Sequence, residues 1–386
     1  EDAVHDAFIN IAKSIDNISE VNSPRTKGYV VIIVRNISLN MLKKQNKIVD
    51  IDNFEENAAD DLSLEDEVLS KLSFDFIVDE ITNFPVIYKD VLYLSYVERL
   101  HLRKQVLMKL KYSILFISAL FAFFAWQNND MVITEHNYTN DKLPNKFNGF
   151  KILQISDLHN KNFCGKLTNK IKEISPDIIV ITGDLIDRRR TNLNNAIELI
   201  EEIVKIAPTY YVSGNHEQLS QHYVKLKEEL NKLNVINMDD FHTTINKEGS
   251  EIGLIGIADP AINASEKTYL SESNVKYVRS RLNHLTKNLK TDFNILLSHR
   301  PELLNVYKEF SIDLVFSGHA HGGQIRIPLL GGILSPNQGF FPKYSEGMHW
   351  EGSTCMAVSR GLGNSLFPFR VFNRPELVVV ILNPMS

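Results

Sequence analysis

Cysteine is scarce in this 386-residue chain: Cys164 and Cys355 are the two it has. Two thiols so far apart in sequence make no disulfide framework, so they read as ordinary thiols, or as one bridge if the fold brings them together. Excess positive charge is missing too, and a formal net charge of -5 gives the chain as a whole no basic footprint for nucleic acid. Long apolar runs are few. The stretch from Tyr112 to Trp126 is free of charge, but at about 15 residues it falls short of the roughly 20 that a bilayer-crossing helix uses. An initiating Met is absent, since the chain begins at Glu1, which reads as a missing true start. With 44% apolar and 23% charged residues, what remains is ordinary globular protein with room for two domains.

The most informative stretch is Asp177 to Asp187, DIIVITGDLID. Ile178 to Ile181 form an apolar run that reads as a buried strand, and Gly183 frees the backbone where Asp184 must emerge. Four other stretches have the same build: FKILQISDLH (150–159), TYYVSGNHE (209–217), FNILLSHRP (293–301) and IDLVFSGHAHGG (312–323). Each apolar run stops at Ser or Gly and then delivers Asp, Asn or His. Open α/β sheets bind ligands beyond the carboxyl ends of their strands, so five such ends pool their polar residues in one crevice.

Those residues have the chemistry of metal ligands. Asp157 and His159 are two apart, and on an extended segment both project to one side and reach one ion. Asp184, Asn215, His299, His319 and His321 complete the set, with His216 beside Asn215. Every donor is oxygen or imidazole nitrogen and none is thiolate, which favours Mn, Fe, Zn or Co.

The ordered set Asp-x-His, Gly-Asp-x-x-Asp, Gly-Asn-His-Glu, His and Gly-His-x-His resembles the calcineurin-like metallophosphoesterase superfamily over Phe150 to Leu382. The GHAHGGQIRIP and VSRGLGNS segments look closest to its membrane-associated bacterial branch, which includes enzymes similar to UDP-2,3-diacylglucosamine pyrophosphatases. The resemblance implies an α/β fold of two mixed β-sheets sandwiched between helices. It also implies two divalent metal ions: Asp157, His159 and His321 on the first, Asn215, His299 and His319 on the second, and Asp184 between them. A hydroxide shared by two cations would attack phosphorus in line with the leaving oxygen, and His216 would donate a proton or hydrogen bond to that oxygen. The implied activity is hydrolysis of phosphoester or pyrophosphate bonds, of phosphodiesterase or pyrophosphatase type, in a phosphorylated small-molecule, lipid or nucleotide-linked lipid substrate.

Other residues near these motifs carry two readings each. Asp187 is as good a helix N-cap as it is a support for an imidazole. Arg188, Arg189 and Arg190 make a solvated basic loop or attract an anion, and Arg326 and Arg360 are candidates for lining the crevice. Phe340, Phe341, Phe367 and Phe369 suit either the core or an apolar entrance for acyl chains.

The first 107 residues belong to another pattern. EDAVHDAFINIAKSID followed by YVVIIVRNISLNMLKKQ has helical apolar periodicity with basic residues around Tyr29, a solvated face or a nucleic-acid surface. It resembles the second region of bacterial extracytoplasmic-function sigma factors, and Ile81 to Leu100 resembles the opening helix of their fourth region. RNA polymerase and promoter DNA are the partners that this implies for the N-terminal fragment, and a sigma-like transcription regulator fused to the second half is the alternative reading of the whole. A helix-turn-helix does not follow. Met108, Lys109 and Lys111 instead lead into the apolar run, the layout of a membrane anchor or signal segment with the lysines cytoplasmic and the catalytic half extracytoplasmic. The abrupt change reads as two reading frames joined at Met108. The expected organisation is sigma-like helices at 1–49, an acidic linker at 50–67, truncated sigma-like helices at 68–107, an anchor at 108–127, a tether at 128–149 and the metallophosphoesterase domain at 150–386.

Overall fold

The computed structural model describes residues 98–385 apart from 264–272, 288, 365 and 366, together with residues 9, 33, 36, 37, 82, 83 and 89. The sigma-like segments and the acidic linker therefore lie almost wholly outside the described residues. The chain divides into two compact units, Glu1–Val106 and Leu107–Ser386, and the fold belongs to the second.

Two mixed six-stranded sheets make up its centre. The first runs β1 (Val132–Asn140), β16 (Glu376–Pro384), β2 (Phe150–Ile155), β3 (Ile178–Thr182), β4 (Thr209–Val212) and β5 (Ile236–Asn237). The second runs β14 (Gly347–Glu351), β15 (Thr354–Val358), β9 (Leu314–Ser317), β8 (Asn294–Leu297), β7 (Ser250–Gly256) and β6 (Phe241–Lys247), while β10 (Arg326–Ile327) with β11 (Gly331–Gly332) and β12 (Leu334–Ser335) with β13 (Gly339–Phe340) form two short antiparallel pairs after β9. Strands β2 to β5 are mutually parallel, as are β7, β8, β9 and β15.

Period-two alternation explains the layers. In β3, Ile178 and Val180 face the other sheet, while Ile179 and Ile181 face the helices Lys166–Ile174 and Leu193–Ile203. Leu314 and Phe316 of β9 meet them from the second sheet, and Val315 packs outward with Val278 and Leu282 of the helix Ser273–Thr286. An apolar layer thus fills the space between the sheets, and helices cover each outer face: the expected architecture. Cys355 sits buried in the middle layer and Cys164 is exposed, both as free thiols.

The segment 128–149, expected as a tether, is a structural element. Strand β1 pairs with β16 in parallel along its whole length, from Val132 opposite Glu376 to Asn140 opposite Pro384. As a half-solvated edge strand it alternates exposed and partly covered residues, so its polar composition hides it in the sequence. Tyr138 is buried, and its hydroxyl donates to Asp313 O of the second sheet's side at 3.1 Å. The fold of the second unit therefore starts well before Phe150.

The apolar run lies in helix α1 (Glu98–Asn129), of which Lys104–Asn129 is long and apolar enough to cross a membrane; its apolar window is unburied. The end of α1 is pinned to the fold. Asn373 N donates to Gln127 Oε1 at 3.2 Å, Arg370 N donates to Asn128 Oδ1 at 3.0 Å, and Lys161 Nζ donates to Asn128 O, one of the carbonyls a helix end leaves unpaired.

Candidate metal centre

All five strand ends converge. Asp157 follows β2, Asp184 follows β3, Asn215 follows β4, His299 follows β8 and His319 follows β9, so the crevice opens where the carboxyl ends of both sheets meet. Gln154 ties the sheets together beneath it, its Nε2 donating to Thr182 Oγ1 and to Ser317 O at 2.8 Å each.

Two clusters of donors share one carboxylate. In the first, His159 Nε2 and His321 Nε2 are 3.1 Å apart, and Asp157 Oδ1 lies 3.3 Å from His321 Nε2. In the second, His299 Nε2 and His319 Nδ1 are 3.1 Å apart. Asp184 Oδ2 lies between them, 3.6 Å from His159 Nε2 and 3.3 Å from His299 Nε2. Asp157, His159, Asp184 and His321 can converge on one ion, and Asp184, His299 and His319 on another. Asn215 lies next to Gly214, whose backbone abuts Asp184, and its Oδ1 is buried without a hydrogen-bond donor. A buried carbonyl oxygen left unpaired is costly unless a cation takes its lone pairs. Donor type, convergence and that orphaned oxygen all fit divalent metal.

The electrostatics agree at three of the four imidazoles in the two clusters; His299, against the effect of its burial, is raised to about 10 by the charge of and hydrogen bond to Asp184. Burial, followed by repulsion from His216, lowers His159 to about 3, and burial holds His319 and His321 well below the usual imidazole range. These rings stay neutral and keep a lone pair to offer. Burial opposes ionisation of Asp184, yet His299 and then His216 outweigh it and hold the carboxyl well below its usual range. Burial raises Asp157 to about 6, against the favourable charge of His299.

Asp157 and His159 reach one cluster by a different route from the one expected. Neither is extended: their φ angles are 49° and 48°, in the left-handed region, and Asp184, His319 and His321 share it at 52°, 63° and 48°. Five of the seven donors are thus held in a conformation costing on the order of 1–3 kcal/mol each, tolerated where surrounding contacts enforce it.

Among those contacts, Glu217 carries no expectation from the sequence as an individual residue. Its Oε2 accepts from Asp184 N and Gly214 N at 2.8 Å each, and its Oε1 accepts from Ile186 N at 3.0 Å. Burial, then the charge of Asp184, push its carboxyl up to about 8. Its place three residues after Gly214, the spacing of a helix-capping acid, is the signal that could reveal it. Ser156 and Asn373 act similarly: Ser156 Oγ donates to Asp157 Oδ2 at 2.6 Å, and Asn373 Nδ2 donates to His321 O at 2.7 Å.

His216 stands at the rim of the first cluster, its ring centroid 4.4 Å from that of His159. Its Nδ1 accepts from Arg188 N at 3.2 Å, which leaves Nε2 to carry the proton in the neutral ring. Asp187 Oδ1 is 3.7 Å from His216 Nδ1, so Asp187 sits beside an imidazole; it also accepts from Arg189 N at 2.8 Å. His159, Asp187 and His216 form a third group of converging donors. Arg326 and Arg360 do not present free guanidiniums to the crevice. Arg326 pairs with Glu346 and donates to Gly322 O at 3.1 Å, while Arg360 Nη2 donates to Glu376 Oε1 at 3.0 Å. Both are held by these carboxylates beside the turn that carries His321, where Arg326 touches Gly322 O and Arg360 Cγ lies close to Gly322.

Comparison with known proteins agrees with this geometry. Residues 150–323 match the family model for calcineurin-like phosphoesterases. The chain is 32% identical over 257 residues to the uncharacterized metallophosphoesterase YkuE of Bacillus subtilis (strain 168), covering 64% of this chain and 84% of that protein. It is 26% identical over 241 residues to phosphodiesterase YaeI of Escherichia coli (strain K12), covering 60% and 82%. It is also 27% identical over 253 residues to a transmembrane protein with metallophosphoesterase domain from Danio rerio, covering 63% and 55%. With a phosphoesterase family model matched across the strand ends that carry these donors, and a relative matched over most of its length, the chain belongs to the calcineurin-like metallophosphoesterases.

Proposed function

We propose that this chain is a membrane-anchored, dinuclear metal-dependent hydrolase of phosphoester or pyrophosphate bonds. The observation that carries this reading is the position of Asp184 Oδ2 between two imidazole clusters, since two cations about 3.5–4 Å apart need a shared anion. Asp157, His159, His321 and Asp184 would hold one ion, and Asp184, Asn215, His299 and His319 the other, with Mn, Fe, Zn or Co suited to these donors. Bound there, such cations supply Lewis acidity, neutralising phosphoryl oxygens and lowering the pKa of water.

The chain's own residues do the rest. Glu217 fixes the backbone amides of Asp184 and Gly214 relative to each other, which sets the spacing of the two clusters. His216, with Nδ1 occupied by a backbone amide, presents Nε2–H to a departing oxygen. Burial disfavours the protonated form of that ring and holds it below the usual imidazole range, while the charges of Asp184 and then of Asp187, whose Oδ1 lies 3.7 Å from Nδ1, oppose burial. The relative named a phosphodiesterase supports diester chemistry, and the membrane-compatible α1 supports a lipid or nucleotide-linked lipid substrate such as those of UDP-2,3-diacylglucosamine pyrophosphatases. Lys109 and Lys111 before the apolar run orient the catalytic half to the extracytoplasmic side.

The test is a panel of phosphomonoesters, diesters and nucleotide-linked pyrophosphates. The metal-stripped chain is titrated with Mn, Zn or Fe, and bound metal is counted. Two ions per chain and metal-dependent turnover are expected; a single ion, or no turnover with any metal, rejects the reading. Residues 1–107 carry a separate proposal, resting on their helix pattern: affinity for core RNA polymerase, tested by pull-down with that fragment.

A further inference from the structure

At the domain end of α1 an apolar surface continues sideways onto the catalytic fold. Phe123 packs edge-on against Phe372 at 5.7 Å between ring centroids, and Phe124 packs against Phe369 at 5.1 Å. Phe369 and Phe372 nevertheless remain about half exposed, at 47% and 52%. Phe372 also lines a shallow cavity with Arg326, Leu329 and Leu330, and those leucines are 106% and 69% exposed. Exposed leucines beside half-exposed phenylalanines form the kind of apolar patch that marks an interaction surface.

The helix itself indicates what covers this patch. Helix α1 is long enough to cross a membrane, but its charge-free part, Tyr112–Trp126, spans about 22 Å at 1.5 Å per residue, some 8 Å short of a hydrocarbon core of roughly 30 Å. A short span is relieved when the bilayer thins or when neighbouring apolar groups sink into it. Phe369 and Phe372 touch the helix within one turn of Trp126, an amphipathic ring suited to the headgroup level. Leu329 and Leu330 lie across the cavity that Phe372 shares, so the patch sits at the depth where the helix runs out.

We propose that the loop at Leu329–Leu330, with Phe369 and Phe372, inserts into the same bilayer that α1 crosses, giving the catalytic fold a second membrane contact. That contact holds the His321 turn at the headgroup surface, because Asn373, next to Phe372, donates to His321 O. The enzyme would then act on phosphate groups at lipid-headgroup height. The proposal rests on α1 spanning a membrane, not on the metal chemistry.

The experiment uses the full chain reconstituted in phosphatidylcholine–phosphatidylglycerol vesicles. Exposed Cys164 is replaced by Ser, buried Cys355 takes no label, and an environment-sensitive fluorophore is attached at Leu329→Cys, Leu330→Cys or, as a control on an exposed helix face, Val224→Cys. Lipids spin-labelled near the carbonyl level are expected to quench the probes at 329 and 330, and iodide to leave them bright, with the reverse at 224. Iodide quenching at 329 and 330 overturns the proposal. Protection from both quenchers overturns it as well, since a second protein copy would then cover the patch. Because fluorescence needs no turnover, the outcome is independent of the substrate panel.

Discussion

Among the described residues, Asp184 is the one carboxylate that groups with both imidazole clusters, and its two oxygens have separate tasks. Oδ2 lies between the clusters, and Oδ1 accepts from His216 N at 2.8 Å. Asp184→Ala is therefore expected to lose metal and activity together, whereas Asp157→Ala should weaken mainly the cluster with His321; metal analysis and calorimetric titration of each variant check this. A full metal count in Asp184→Ala rejects the shared position. His216→Gln is expected to keep its metal while turnover falls by roughly 10² to 10⁴ for poor leaving groups and less for nitrophenyl esters. A uniform loss would assign His216 another task. For Glu217, replacement by Gln puts an NH₂ group opposite backbone amides that need an acceptor, at a cost of about 1–3 kcal/mol. Thermal unfolding should register that loss, and metal affinity should fall with it.

At the scale of the element, glycines govern how closely the strand ends approach. A Cβ on Gly214 would lie 2.2 Å from Asp184 Oδ1 and 2.6 Å from Asp184 N, and the latter is backbone that cannot swing aside. Gly214→Ala is expected to cost about 1–3 kcal/mol in overpacking and to lower metal affinity. Calorimetry of metal binding checks it; unchanged affinity would mean that the β3 and β4 ends are looser than their contacts indicate. Strand β1 carries the other prediction at this scale. Cutting the chain to Pro144 removes Tyr138 and Leu143 from the middle layer. Losing the tyrosine alone costs on the order of 3–5 kcal/mol. A chain starting at Met131 should remain folded and one starting at Pro144 should not, as circular dichroism melts will show.

For the whole molecule, the boundary between compact units falls at Val106 and Leu107, one residue before Met108. Deleting everything before Met108 is expected to leave hydrolysis and melting temperature of the second unit unchanged, because the three apolar clusters found among the described residues all lie within it. Membrane association should persist as well, since Tyr112–Trp126 is retained. A truncated chain that is unstable or inactive would show that the two units depend on each other.

The architecture and the donor set were legible because both follow from local pattern. A short apolar run such as Ile178–Ile181 that stops at Thr and Gly has the length and bounds of a strand buried on both faces, and Asp, Asn and His carry donor atoms for a divalent metal wherever the fold puts them. Order along the chain then named the family. Strand β1 was hidden because an edge strand half in water has no need of apolar composition, and its partner β16 lies at the far end of the sequence. The left-handed turns at Asp157 and His159, the clamp made by Glu217 and the withdrawal of Arg326 and Arg360 onto glutamates depend on contacts between segments far apart in sequence, which no local pattern encodes. Sequence alone determined which atoms could bind metal; tertiary structure decided that Asp184 stands between the two clusters, because only packing two sheets against each other brings the end of β3 within reach of β2 and β9 on one side and of β8 and β9 on the other.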